Sequence, residues 1–274
     1  MVKGTKPMKT FKEPEKLQRW CRQQKLAGRR IALVPTMGYL HDGHMSLIEA
    51  AKRRGADEIV VSVFVNPVQF GPNEDYAKYP RDERADLAKC RLAGATAVFF
   101  PTPENMYLPR HSVYVNEEDL SKGLCGARRP GHFRGVCTVV AKLFNLTHPD
   151  FAVFGQKDYQ QAQVIRRMVR DLNFDLDVVV APIVREDSGL AMSSRNTYLS
   201  DEEREKALAI SKGLREFRSV AKLRRDLERA GLRVDYVECV DAETLEPRKR
   251  PEKGCCVLVA AYSGKTRLID NALL

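Results

Sequence analysis

The chain has 274 residues, 43% of them hydrophobic and 30% charged, a balance typical of soluble globular proteins with one large domain or two unequal ones. No stretch approaches the roughly 20 apolar residues that span a bilayer, and no apolar segment follows the N-terminal lysines, so we expect neither a membrane partner nor a signal peptide. The net charge of +10 leaves nucleic-acid binding open, but no basic stretch is interleaved with aromatic residues, so a nucleic-acid partner is not expected.

The seven cysteines form no C-x-x-C pair and no regular framework. An odd number of cysteines in a chain of this size predicts reduced thiols and therefore a cytoplasmic protein. Their spacing does not favour a zinc site.

Up to residue 182, strands alternate with helices in the hydrophobic pattern. Apolar runs predict strands at 31–36, 58–65, 97–100, 151–154 and 177–180. Helical spacing predicts helices at 13–27, 43–54, 81–93, 136–144 and 159–172. Near-continuous apolar strands are typical of a sheet covered on both faces, so we predict an α/β fold: a Rossmann-like, doubly wound parallel sheet built from right-handed βαβ units.

The pattern changes after Pro182. A charged helical stretch at 201–230 precedes predicted strands at 234–240, 256–262 and 266–269, which favours a second, smaller α+β domain. We therefore predict domains at 1–182 and 183–274. The helical stretch has no clear turn signal except Gly213, so it is either one long helix or two helices that meet near Val220.

The segment PTMGYLHDGH, residues 35–44, lies where the first strand of this series turns into a helix. Free N–H groups and the helix dipole at such a turn favour phosphate, and Gly38 and Gly43 let a ligand approach the backbone closely. His41 and His44 are three residues apart, so both imidazoles can donate to phosphate oxygens if the helix begins between them. The alternatives are two surface histidines or a metal pair, although no H-E-x-x-H spacing or third ligand is nearby.

Polar residues follow two further strands. Asn66 and Gln69 are candidates for uncharged hydrogen bonds to a polar substrate, because ligands of open α/β sheets bind beyond the carboxyl ends of strands; the alternative is an Asn-Pro turn. Later in the chain, Gly155 allows close approach, Lys157 supplies positive charge, and Asp158 either binds ribose hydroxyls or caps a helix. Gln161 lies one turn on and faces the same crevice if that helix begins near Lys157.

Two more segments suggest phosphate chemistry. The loop that contains Ser193, Ser194 and Arg195 combines two hydroxyls with a guanidinium, which can grip a polyphosphate; the alternative is an ordinary surface turn. Asp86 is a candidate Mg²⁺ ligand, although a solvated helix face is the commoner place for an aspartate.

Six blocks, in this order, resemble the signature blocks of the pantothenate synthetase family: PTMGYLHDGH, FVNPVQFG, YPR, RPGHFRGV, FGQKDYQQ and AMSSRN. The resemblance spans roughly residues 28–200, and VDYVECVDAETLEP and TRLIDN are similar to that family's C-terminal domain. The HDGH element by itself resembles the H-x-G-H of the wider nucleotidyltransferase and class I aminoacyl-tRNA synthetase superfamily.

The resemblance implies a cytoplasmic, homodimeric ligase that uses ATP and Mg²⁺ to activate pantoate as an acyl-adenylate and passes the acyl group to β-alanine. It implies that Gln69 and Gln161 bind pantoate and that His44 donates a proton. With His41, Lys157 and Arg195, this histidine would stabilise charge on the phosphates. The ATP site implied by the family consists of Met37, Gly38, Tyr39, Leu40, His41, Asp42, Gly43, His44, Gly155, Gln156, Lys157, Asp158, Val184, Met192, Ser193, Ser194 and Arg195.

The chain departs from the family at a few positions. Ala85 precedes Asp86 and Lys89 follows it, where some relatives carry two adjacent acids and a Gln. Gln156 stands where many relatives have Glu, and the region near Val220 is shorter. Two rival functions are another H-x-G-H enzyme, such as a mononucleotide adenylyltransferase, and a basic RNA-binding protein. The uncharged Asn66, Gln69 and Gln161 argue against the first, which would need basic residues near a phosphate acceptor.

Overall fold

A computed structural model describes residues 7–72 and 74–274, so the predicted absence of a signal peptide rests partly on residues 1–6, which lie outside the described part. The first lobe contains β1 (Lys9–Phe11), α1 (Pro14–Leu26), β2 (Ile31–Thr36), α2 (Asp42–Arg53), β3 (Glu58–Val63), α3 (Glu83–Ala93), β4 (Ala97–Phe99), α4 (Pro103–Met106), α5 (Leu124–Arg128), α6 (His132–Thr147), β5 (Phe151–Gly155), α7 (Tyr159–Asp171) and β6 (Asp177–Ala181). The second contains α8 (Asp201–Arg215), α9 (Val220–Arg229), β7 (Arg233–Asp241), β8 (Cys255–Ser263) and β9 (Thr266–Leu273).

The first lobe is a six-stranded sheet in the order β1-β4-β3-β2-β5-β6, and every strand pair is parallel. The predicted doubly wound α/β fold is therefore confirmed. The strand order reverses between β2 and β5, which pair through Ala32 with Phe151 and Leu33 with Ala152. Ligands of such sheets bind at this reversal, beyond the carboxyl ends of the strands.

Both faces of the sheet are covered, which explains the near-continuous apolar strands. Ile31 and Leu33 of β2 belong to the same cluster as buried residues of α1, α6 and α7. Ala32 and Val34 point the other way and pack with Leu47 and Ile48 of α2. All four β2 residues are fully buried, so this strand is rigidly held and fixes the loop that follows it.

The second lobe is an antiparallel sheet, β7-β8-β9, with α8 and α9 packed on it. The charged stretch after residue 200 forms two helices, which decides between the two possibilities that the sequence left open. The first helix begins at a capping box of Ser200 and Glu203, and the second begins after Ser219, whose side chain accepts from the N–H of Lys222. The smaller α+β lobe is confirmed, while its boundary after residue 182 stays a prediction.

Some local features differ from the sequence-based prediction. The strand predicted at 58–65 ends at Val63, because Asn66 starts a 3₁₀ turn at Pro67–Gln69. The short edge strand β1 was not predicted; three residues give too little periodicity. In the described parts of the chain, none of the helices has the length and apolar character needed to cross a membrane.

Candidate active site

A cavity of about 980 Å³ lies between the two lobes, beyond the carboxyl end of β5. Its lining includes Lys157, Asp158 and Gln161 from the β5–α7 segment, and Ser193 and Arg195 from the loop before α8. The structure therefore brings residues 157–161 together with Ser193 and Arg195 across one space. The opposite wall comes from the C-terminal sheet, which supplies further cationic side chains, among them Lys265 and Arg267.

The loop between β2 and α2 is held open by left-handed backbone at Gly38 and Tyr39, with φ values of 86° and 50°. A Cβ on Gly38 would lie 2.8 Å from the side chain of Val63 and 3.0 Å from Asp86, so only glycine fits. The carboxylate of Asp86 accepts the N–H groups of Tyr39 at 2.9 Å and Leu40 at 2.7 Å. The loop is thus pinned by a buried carboxylate from α3.

The two histidines of this loop form a tilted pair, with ring centroids 4.0 Å apart and ring planes at 38°. The N–H of His41 donates to Nδ1 of His44 at 3.2 Å, so a neutral His44 carries its proton on Nε2. Gly43 allows the pair to form, because a Cβ there would lie 2.9 Å from the His41 ring. Nδ1 of His41 is buried and has no hydrogen-bond partner among the described residues.

Both imidazoles are neutral at pH 7. Burial lowers the pKa of His41 to about 4, and the positive charge of Lys157 acts in the same direction. Burial also holds the pKa of His44 well below its ordinary value of 6.5, and His41 and Lys157 add to this effect. The pair therefore offers neutral N–H donors beside a lysine rather than two imidazolium ions.

Gln69 is oriented by a chain of hydrogen bonds that begins at the backbone. Asn66 accepts from the N–H of Val68 at 3.3 Å and donates to the carbonyl of Gly135 at 3.1 Å, which fixes its amide. Its remaining N–H donates to Oε1 of Gln69 at 3.1 Å. Nε2 of Gln69 is consequently turned the other way, towards Sδ of Met37 at 3.1 Å, in the loop after β2.

The backbone of this turn is held by α6. The carbonyl oxygen of Gln69 accepts from Nδ1 of His132 at 2.8 Å, and Nε2 of that imidazole accepts from Arg129 at 3.0 Å. Burial, reinforced by the Arg129 charge, lowers the pKa of His132 to about 4, so the ring is neutral. A Cβ on Gly135 would lie 2.5 Å from the carbonyl oxygen of Val68, so α6 and the turn meet backbone to backbone.

Lys157 lies in a 3₁₀ turn between β5 and α7, and its ammonium is 3.0 Å from the carboxylate of Asp158. Burial by itself would raise the pKa of Asp158, but the charge and hydrogen bond of Lys157 lower it, so the carboxylate stays ionised. Arg195 makes a two-pronged ion pair with Asp75, with both N–O distances 2.9 Å. Each of these two cations therefore already has an anionic neighbour.

The loop before α8 reaches back to the loop after β2. Ser194 donates to the carbonyl of Tyr39 at 3.1 Å, and a Cβ on Gly43 would come within 3.6 Å of Met192. The N–H of Met192 donates to the carbonyl of Val184 at 3.0 Å, which closes the base of the loop. Thus the loop after β2 and the loop before α8, which both carry predicted nucleotide residues, are in direct contact.

A family model for pantoate-beta-alanine ligase matches residues 9–273. The chain belongs to the pantoate-beta-alanine ligase family. It is 56% identical to pantothenate synthetase from Myxococcus xanthus over 270 residues, covering 93% of this chain and 92% of that protein. It is also similar to the crystal structure of pantothenate synthetase from Thermus thermophilus, with a TM-score of 0.89 and 45% identity over 97% of this chain and 99% of that one.

A third relative has been solved with ligands. Pantoate-beta-alanine ligase from Francisella tularensis, described as complexed with beta-gamma ATP and beta-alanine, is similar with a TM-score of 0.85 and 33% identity, covering 97% of this chain and 98% of that one. This chain is therefore a ligase of the pantoate-beta-alanine ligase family.

Two predicted ligand residues of this ligase lie behind the crevice. Asn66 is fully buried, and both ends of its amide are bonded to protein groups, one of which is the side chain of Gln69. Asp86 is 1% exposed and each carboxylate oxygen accepts a backbone N–H. Burial raises the pKa of Asp86, and the N–H bonds from Leu40 and Tyr39 oppose that rise. Substrate contact by Asn66 and metal ligation by Asp86 remain predictions without a contact that supports them.

Four residues that organise the candidate site were not predicted from the sequence. Asp75 pairs with Arg195, Arg129 and His132 support Gln69, and Asn271 of β9 bonds to the turn that carries Lys157. The signature block RPGHFRGV contains Arg129 and His132, so the sequence did carry a signal for these two residues. Only the folded structure reveals that Asp75 and Asn271 reach the site.

Proposed function

We propose that the crevice beyond β2 and β5 is where this chain condenses (R)-pantoate with β-alanine to give pantothenate, AMP and pyrophosphate through an enzyme-bound pantoyl-adenylate. The arrangement that carries this assignment is the meeting of the His41–His44 pair, Lys157 and the Ser193–Arg195 loop beside the uncharged amide of Gln69. The first three suit a polyphosphate, and the amide suits a small polar acid.

The first step is attack of the pantoate carboxylate on the α-phosphorus of ATP. The new carboxyl O–P bond replaces the bond to pyrophosphate, which leaves with the electron pair. Negative charge gathers on phosphate oxygens during this step, so the protein contributes positioning and donors rather than a nucleophile. Lys157 and Arg195 supply positive charge. Each would release its carboxylate partner, Asp158 or Asp75, and pair with phosphate oxygens instead.

His44 donates a hydrogen bond to the phosphate through Nε2–H. Its Nδ1 is occupied by the N–H of His41, so this orientation is set before ATP arrives. A preorganised donor in a partly dry site stabilises developing charge more than a donor in water. The unpartnered nitrogen of His41 is the second donor or acceptor position of the same pair.

Pantoate is held by the amides of Gln69 and Gln161. Because Asn66 occupies Oε1 of Gln69, the Nε2–H groups of Gln69 would bind an acceptor oxygen of the acid in place of Sδ of Met37. Neutral amides recognise hydroxyl and carboxylate oxygens without the charge that a phosphate acceptor would require. In the second step the amine of β-alanine attacks the acyl carbon, the C–O bond to AMP breaks, and the amine loses a proton.

Mg²⁺ fits this site as an ion carried by the nucleotide. The described residues contain no group of three or more His, Cys, Asp or Glu that could hold a metal ion. Mg²⁺ needs no such cage, because it usually keeps several waters and binds one or two carboxylates plus substrate phosphates. Asp158 lines the cavity and would be a carboxylate able to hold the ion; Asp86 is the candidate from sequence. When bound, the ion neutralises phosphate charge.

We also propose a cytoplasmic location for the protein. The seven cysteines are all free thiols, as a reducing cytoplasm would keep them. The resemblance to the family supports a homodimer formed through the N-terminal lobe, and light scattering would measure its mass. A mononucleotide adenylyltransferase is the second candidate, favoured only by the shared His41-x-Gly43-His44 turn.

One assay separates these functions. AMP release is measured with ATP, Mg²⁺, pantoate and β-alanine, each omitted in turn. Under multiple-turnover conditions, we expect AMP release only when all four components are present. AMP release that ignores pantoate would contradict it, and salt-sensitive RNA binding without turnover would favour the RNA-binding alternative.

A further inference from the structure

The side chain of Asn271, in β9 of the second lobe, hydrogen-bonds to the turn of the first lobe that carries Lys157. It is 2% exposed, and its Nδ2 donates to the carbonyl oxygens of Gln156 at 2.9 Å and Lys157 at 3.1 Å. Its Oδ1 accepts from Nε2 of Gln156 at 3.1 Å. All three hydrogen bonds of this buried amide therefore end on two consecutive residues of the active-site turn.

The turn has little support of its own. Asp158, which precedes α7, forms no side-chain cap. The Lys157 ammonium is paired with the adjacent Asp158. The hydrogen bonds from Asn271 therefore hold the backbone from which the lysine side chain extends.

The residue before Asn271 holds the second cationic segment. Asp270 is 4% exposed and makes a two-pronged ion pair with Arg185, with N–O distances of 2.6 and 3.0 Å. Arg185 also donates to the carbonyl of Gly189 at 3.2 Å, and it pairs with Ala191 across the base of the loop that leads to Arg195. Oδ1 of Asp270 accepts the N–H of Asn271 at 2.8 Å, so the two residues are locked together.

We propose that Asp270 and Asn271 are positioning residues that set the separation between Lys157 and the Ser193–Arg195 loop, and thereby the fit of the ATP triphosphate between them. This inference rests on the proposed function of those two segments. Two adjacent residues on one rigid strand fix both segments at once, whereas separate supports would let the cations drift apart. A displacement of about 1 Å at such groups can lower a rate by about 10²-fold.

The test compares Asn271→Ala with Ser263→Ala. Ser263 is fully buried in the same sheet and donates to the carbonyl of Glu203 at 2.7 Å, so its loss also removes buried side-chain bonding but away from Lys157. We expect Asn271→Ala to raise the KM for ATP roughly tenfold and to leave the KM for pantoate and β-alanine within about twofold. Ser263→Ala should lower Tm without changing the KM for ATP.

A double-mutant cycle shows whether Asn271 acts through the lysine. In a Lys157→Ala background, Asn271→Ala should cause little further loss of adenylate formation, because the group that it positions is gone. Full additivity would overturn the proposal. If Asn271→Ala does not fold, Gln156→Ala, which removes one bond to Asn271 from a partly exposed side chain, should still raise the KM for ATP.

If the wild-type enzyme turns over normally and every folded variant has an unchanged KM for ATP, the positioning role is overturned. Failure of the proposed function would instead appear as absence of pantoate-dependent AMP release by the wild-type protein. The two outcomes are therefore distinguishable.

Discussion

The backbone N–H of His41 donates a 3.2 Å hydrogen bond to Nδ1 of His44, and this bond determines which nitrogen of His44 carries the proton. The donor nitrogen Nε2 is therefore directed away from its own loop before any ligand binds. Since burial keeps both pKa values low, the ring is a neutral donor throughout the physiological range. A site with this arrangement has a definite pH dependence.

We expect kcat/KM for ATP in adenylate formation to show no inflection at pH 6.5 that is due to His44. A histidine with an ordinary pKa would change charge there, but the lowered pKa of His44 keeps it neutral to well below that pH. The rate should fall only as pH drops towards the lowered pKa values, that of His41 being about 4. Stopped-flow pyrophosphate release between pH 5 and 8 measures this, and a step at 6.5 that disappears in His44→Gln would contradict it.

Lys157→Ala should slow adenylate formation by on the order of 10²- to 10³-fold, the scale of one charge-stabilising donor. Its ammonium lies at the turn between β5 and α7, where the phosphates are proposed to bind. Single-turnover pyrophosphate release isolates this step. Lys206→Ala, which removes an exposed ion pair with Glu202 on α8 away from the cavity, is the matched control. A loss confined to the β-alanine step would show that the lysine has another role.

Gln69→Leu and Gln161→Leu should weaken pantoate use by roughly 10- to 100-fold each and leave ATP binding nearly unchanged. Leucine leaves polar groups of the acid unpaired, which costs about 1–3 kcal/mol. Separate titrations of ATP and pantoate measure the two effects. Gln18→Leu on α1, which removes a 3.0 Å hydrogen bond to the carbonyl of Asn145, serves as the control. Equal weakening of both substrates would indicate general damage to the site.

Folding stability should decrease as pH falls from about 6.5 towards 4, partly because of His132. Its folded pKa of about 4 lies below the unfolded value of 6.5, so the unfolded chain binds the proton first and stability is complete only above 6.5. At pH 5 the loss from this residue is about 1–2 kcal/mol. Urea unfolding measures the free energy of unfolding at pH 7 and at pH 5. The decrease between the two should be smaller for His132→Gln than for the wild-type protein; an equal decrease in both would refute the assignment.

How much of the site the sequence predicts depends on the range of the interactions. The turn at His41–His44 is local: a strand, two glycines and a helix start are sufficient to place the histidines. Asp86 shows the limit, because its carboxylate meets the N–H groups of Tyr39 and Leu40 only after α3 packs beside α2. Asn271 lies 114 residues from Lys157 in the chain, so no local pattern could reveal their contact.

The fold was more predictable than the site for the same reason. Parallel strands such as β2 and β3 have near-continuous apolar sequences because both faces are covered, and this signal is contained in each strand. The side-chain contacts of Asn66 with Gln69 and Gly135 depend instead on α6 approaching through a glycine. Such contacts follow from packing, which single-chain patterns do not encode.

The most direct test of the central claim is exchange of labelled pyrophosphate into ATP. With pantoate and Mg²⁺ present and β-alanine absent, exchange should proceed, because an enzyme-held acyl-adenylate forms reversibly before the amine is needed. Exchange should vanish without pantoate, and Arg195→Ala should reduce it more than it reduces aminolysis of preformed adenylate. Exchange that strictly requires β-alanine would contradict the two-step account, and folded protein with no exchange under any condition would contradict the assigned reaction altogether.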